Sequence, residues 1–164
     1  MPSTYNLGLL TASCLVMSAA ARSLDWAASV PTSGLACLDI GDDSANIARN
    51  IGSQLFADAA ANDCTLHTGS IDNLFYEVYA TTTGGDCSST AQVDTIEGGL
   101  NNAIGTVFGP TDAQLCGSQC IKVSHGGTWT GWVSISTDQT ALQGFVCDDT
   151  VALPTTGSCG NSCI

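Results

Sequence analysis

The stretch STAQVDTIEGGLNNAIGTVFGP, residues 89–110, is the most regular in the chain, and its reading sets the architecture. Val93, Ile96, Leu100, Ile104 and Val107 recur with helical spacing and form one apolar stripe. Ser89-x-x-Gln92 fits a capping box, and Asp94 and Glu97 lie near the positive end of the helix dipole. Gly109-Pro110 is a stop signal. Gly98-Gly99 inside the helix costs ~1 kcal/mol per residue relative to alanine. That cost points to close packing against a neighbouring element.

Outward from this helix the chain alternates. Ile47, Ile51, Leu55 and Ala59 predict a second amphipathic helix over 44–61, with Asp42-Asp43-Ser44 as capping residues and Asn62-Asp63 at its end. Cys64–Thr68 and Asn73–Thr82 read as a hairpin linked through Gly69. In it Leu74, Tyr76, Val78 and Ala80 share one face and Phe75, Glu77 and Tyr79 the other. Cys120–Ser124 and Trp129–Ser136 read as a second hairpin turning at His125-Gly126-Gly127. Gly34–Ile40 is expected to be a first strand and Phe145-Val146-Cys147 a last one, with residues 22–35 a loose lead-in. Two helical stripes need one shared apolar surface, which an antiparallel sheet supplies. The expected fold is therefore α+β: a two-layer sandwich with both helices on one face of an antiparallel sheet, of the split β-α-β, ferredoxin-like kind.

Residues 1–21 read as a cleaved signal peptide, with an uncharged run from Leu7 ending in Ala19-Ala20-Ala21. Residues 22–164 then form one exported domain, with a core over about 35–147 and a cysteine-tethered tail over 148–164. Cys14 of the nine cysteines leaves with the signal. Cys37, Cys64, Cys87, Cys116, Cys120, Cys147, Cys159 and Cys163 remain, an even set that predicts a disulfide framework in a secreted chain. Spacing alone does not choose the pairing. Cys116-x3-Cys120 with Cys159-x3-Cys163 formally matches a thiolate zinc site, but the export route oxidises thiols. No cofactor or metal is expected.

Composition narrows the partners. Three Lys and Arg face fifteen Asp and Glu, a net charge of −12, with 44% hydrophobic and 11% charged residues. Three cations cannot neutralise a nucleic-acid backbone or hold an anionic lipid surface. Nucleic acid and a membrane anchor are therefore excluded as expectations.

Such a chain, exported, small and stapled, resembles the α/β-sandwich killer toxins of yeasts and smut fungi and the small cysteine-rich secreted effectors of fungi. The stripes Ile47/Ile51/Leu55 and Val93/Ile96/Leu100/Ile104 and the stretch Cys120-Ile-Lys-Val-Ser-His-Gly-Gly-Thr-Trp carry the resemblance. It implies a non-enzymatic protein acting on a surface component, protein or glycan, of another organism's cells. Such toxins are typically cut at dibasic sites, and this chain has no Lys-Arg or Arg-Arg pair.

Other chemistries leave weaker traces. His125-Gly126-Gly127 faintly resembles an esterase oxyanion loop, but no Gly-x-Ser-x-Gly elbow accompanies it. His67 and His125 could meet across the sheet as a metal or pH-sensitive pair. Glu77 and Glu97 are the glutamates a glycosidase reading would start from. Trp129 and Trp132, three apart in a strand, face opposite ways, so one belongs to the core and the other is a candidate for stacking on a sugar. Trp132 and His125 are thus the possible ligand contacts. The alternatives to an effector are a cell-wall carbohydrate-binding module and a small secreted hydrolase.

Overall fold

A computed structural model describes residues 23–30, 37–39, 43–108 and 114–159. The signal-peptide expectation, Gly109-Pro110 and Cys163 lie outside them. The strands are β1 (Leu24–Ala28), β2 (Cys37–Asp39), β3 (His67–Ile71), β4 (Leu74–Thr82), β5 (Gln114–Cys116), β6 (Ser118–His125), β7 (Trp129–Ser136) and β8 (Thr155–Cys159). The helices are α1 (Ser44–Ala61), α2 (Val93–Phe108) and α3 (Gln139–Gln143).

Six strands form one antiparallel sheet in the order β3-β4-β7-β6-β1-β8, and β2 pairs with β5 beside it. Both long helices lie on one face: α1 packs on α2 and β4, and α2 on β1, β6 and β8. This is a disulfide-stapled α+β sandwich. The β4–α2–β6 crossover is of the split kind, with one strand filling the gap. That strand is β7, folded back as a hairpin, where the simple ferredoxin-like order would place the first strand. The β1–α1–β3 crossover consequently passes three strands.

The core lies between helices and sheet. Ile47, Ile51, Leu55, Ile96, Leu100 and Ile104 meet Leu24, Val78, Val123, Val133 and Ile135, all buried. The glycine cost in α2 is explained by contact. A Cβ on Gly99 would stand 2.0 Å from Leu24 Cδ2, and one on Gly52 of α1 would stand 2.7 Å from Glu97 Cγ and 3.1 Å from its Cα. The helices therefore cross where a side chain is missing.

Several expectations need correction. Residues 22–35 are not a loose lead-in throughout: β1 sits inside the sheet, with Leu24 and Trp26 buried. The tail also returns to the sheet, because β8 pairs with β1 along its whole length. The core thus reaches beyond 35–147 at both ends. Within the expected first strand, the described Cys37–Asp39 pairs with β5 in a separate two-stranded sheet. Phe145–Cys147 is not a strand. Gly69 lies within β3 opposite Tyr76, and the hairpin turns at Asp72-Asn73, where Asp72 has φ 51°. A Cβ on Gly69 would collide with the Tyr76 ring, so the missing side chain makes room for an aromatic cover at the sheet edge. Asp43 is the N-cap of α1 but makes no side-chain cap bond. Ser89 lies before α2 and accepts instead from the Ala91 amide at 3.1 Å. Asn62 does close α1, at φ 56°. The turn at Gly126 and Gly127 has φ of 63° and 73°, which explains both glycines.

Cys37–Cys116, Cys64–Cys87 and Cys120–Cys147 are disulfides. Cys159 is also disulfide-bonded, and its partner lies outside the described residues. The pairings at Cys116 and Cys120 leave no room for the zinc reading of those thiols.

Candidate functional site

The face of the sheet turned away from α1 and α2 carries the side chains that alternate with the core. Its middle is covered by residues 145–153, which cross β6 and β7 as a strap. Cys147 anchors the strap to Cys120, and the Tyr79 hydroxyl donates to the Cys147 carbonyl at 2.8 Å. Lys122 reaches Asp149 Oδ1 at 2.7 Å and stands 4.7 Å from the centre of the Trp132 ring. Tyr79 and Trp132 stack with centroids 6.4 Å apart. Burial, together with the nearby charges of Asp148 and Asp149, pushes the Tyr79 phenol up.

The two tryptophans do face opposite ways, but neither is open. Trp129 belongs to the helix-side core and Trp132 is 3% exposed beneath Phe145, Val151 and Leu153. Trp132 is therefore not a platform for a sugar: the strap, remote in sequence, covers it. His125 is partly exposed at the end of β6, where its Nδ1 lies 2.9 Å from the Ser23 carbonyl. His67 and His125 do not meet. Three interstrand steps and four residues along the strand separate them, roughly 20 Å at standard sheet spacings.

His67 has another role. Its Nε2 lies 3.4 Å from Asp58 Oδ1, 3.3 Å from Asp63 Oδ2 and 3.1 Å from Thr65 Oγ1. A nucleophilic triad would need acid and nucleophile on opposite ring nitrogens. Here all three partners share one, so the cluster ties the end of α1 to the start of β3. Asp58 is 3% exposed; burial raises its pKa, and its Oδ2 has no hydrogen-bond partner among the described residues. Asp63 is held low, first by the Thr65 backbone amide.

Glu97 is taken up by the helix contact, accepting from Ser53 Oγ at 2.8 Å. Glu77 is not. It faces outward from β4 between Thr68 of β3 and Ser134 of β7. Beside it is a cleft of about 370 Å³, floored by Thr68, Ser70, Phe75 and Glu77 and walled by Gln139 and Gln143 of α3. Leu142 anchors α3 and is buried. Asp138 caps this short helix, accepting from the Thr140 and Ala141 amides. Burial raises the Glu77 pKa. The sequence signal for Glu77 and Phe75 was their outward alternation. Gln139 and Gln143 gave none, because a five-residue helix shows no periodicity. A second open shelf, over Asp25, Lys122, Ser124 and Thr156, lies on the other side of the strap.

Among the described residues no group of three or more His, Cys, Asp or Glu side chains is placed to hold a metal ion. No helix among them is long and apolar enough to cross a membrane.

These features define a small stapled α+β protein with an acidic sequence, a strapped outer sheet face and a polar cleft beside Glu77. Residues 19–145 match the model of a family of unknown function, DUF6736, and the chain belongs to that family. No curated protein and no solved structure matches it.

Proposed function

We propose that the chain is an exported protein that acts by contact with another organism's cells, in the manner of a small fungal effector or a killer-toxin-like protein. The observation that carries the reading is the disulfide set. Cys37–Cys116, Cys64–Cys87 and Cys120–Cys147 join residues 79, 23 and 27 positions apart, and Cys159 is bonded as well. Bonds of this kind persist in oxidising surroundings outside the cell. They hold down the segments whose opening a protease would need. The role is contact rather than turnover. Among the described residues the cleft beside Glu77 is lined by neither His67, whose strand neighbour Thr68 is the residue opposite Glu77, nor His125, and this favours contact over turnover.

The test applies oxidised residues 22–164 to plant tissue and a panel of yeasts, beside a reduced and alkylated control. Death or growth arrest from the oxidised form alone is the expected result. Equal effects of both forms would overturn the reading. A second reading, a carbohydrate-binding module, is favoured by the polar cleft at Glu77.

A further inference from the structure

We propose that the cleft between α3 and the edge strand β3 binds a neutral sugar chain, with the Phe75 ring as the stacking surface and Glu77, Gln139 and Gln143 as the groups that bond its hydroxyls.

The cleft combines an aromatic face with polar groups of both kinds. Phe75 is half-buried, and its ring shares the cleft floor with Ser70 directly opposite on β3. Glu77 supplies a carboxyl, Gln139 and Gln143 supply carboxamides that both donate and accept, and Thr68 and Ser70 supply hydroxyls. A sugar ring presents the matching set, an apolar face of C–H groups and a rim of hydroxyls that donate and accept. The size, about 370 Å³, is at the lower end for small-ligand sites, and Thr68 and Ser70 of the edge strand β3 bound it on one side.

Charge decides against other occupants. Among the described residues no cation lines the cleft, so phosphate, sulfate or uronate groups have nothing there to pair with. Among the described residues Glu77 is the single carboxylate lining the cleft, which is little negative charge to favour a cationic chain over a neutral one. The half-buried Glu77 carboxyl can accept from the hydroxyls of a ligand in the cleft.

The inference does not depend on the effector reading, since binding is read without cells. Isotope-labelled, oxidised protein is titrated with soluble β-1,3-gluco-, chito- and manno-oligosaccharides, with oligolysine as the cationic comparison. The expected result is amide shifts at 68–77 and 139–143 with at least one neutral oligosaccharide. Phe75→Ala should weaken binding roughly tenfold or more, as loss of a central aromatic contact does. Glu77→Gln and the exposed Gln143→Ala should weaken it less, and Ser124→Ala on the other shelf should leave it unchanged. Gln143→Ala keeps the test open if Phe75→Ala fails to fold. No response to any neutral oligosaccharide, shifts confined to the other shelf, or binding of oligolysine alone would each overturn the proposal. Binding without any cell response would leave the cleft standing and remove the effector reading.

Discussion

Replacing Cys120 and Cys147 together by alanine should release the strap without unfolding the sandwich. The bridge spans 27 positions, and closing a loop of that length in the unfolded chain is worth about 3.5 kcal/mol. A domain of this size has about 5–15 kcal/mol in hand, so the variant should still fold. Its melting temperature should drop by on the order of 10 °C. The structure adds a local signature. Trp132 is covered by Phe145, Val151 and Leu153, whereas Trp26 and Trp129 lie in the helix-side core. Freeing Cys147 should therefore expose one tryptophan of the three. Urea unfolding gives the stability loss, and acrylamide quenching of the native variant gives the exposure. A stability change below about 1 kcal/mol, or quenching equal to that of the parent, would refute the account of the strap.

Gly99→Ala should destabilise by ~1–3 kcal/mol, because the new methyl meets fully buried Leu24, whereas Gly105→Ala on the same helix meets nothing and should stabilise by roughly 0.5–1 kcal/mol; paired urea curves check both. Asp58 has a raised pKa, chiefly through burial, so the folded chain binds its proton more tightly than the unfolded chain and this group makes stability fall as pH rises through that window. The stability of Asp58→Asn relative to the parent should accordingly grow from acid toward neutral pH, and a difference that shrinks would contradict the assignment. Asp63, held low, has the opposite sign: Asp63→Ala should lose stability near neutrality, and the loss should fade in strong acid as the parent carboxylate protonates. Asn62 caps α1 in the left-handed region and accepts from the Cys87 amide at 2.6 Å, so Asn62→Gly, which keeps the backbone but loses the acceptor, should cost about 1 kcal/mol by thermal melting.

The parts of the fold that were legible are those with local periodicity. α1 and α2 follow directly from four-residue apolar spacing, and β4 from strict alternation. The second hairpin follows from its paired glycines. Elements whose stability comes from elsewhere were not legible. β1 does alternate Leu24, Trp26 and Ala28, but it is short and sits among small residues that resemble a linker. β8 (Thr-Thr-Gly-Ser-Cys) has no apolar alternation; Gly157 is bare because the Trp26 ring lies over it, a fact of β1 and not of β8. Strand order was hidden because β7 fills the gap only through long-range pairing. The site suffered in the same way. The opposite orientations of Trp129 and Trp132 were readable, but the strap over Trp132 was not. Glu77 was readable as an outward carboxylate, whereas its companions Gln139 and Gln143 arrive on a helix of five residues.

The most direct test of the account is whether producing cells release the protein, and in what state. Intact mass of the chain recovered from culture medium, with and without reduction and alkylation, reads both the N-terminus and the thiols. The account predicts a chain starting near residue 22 with every cysteine oxidised. A chain retained in the cell with its thiols free would contradict it.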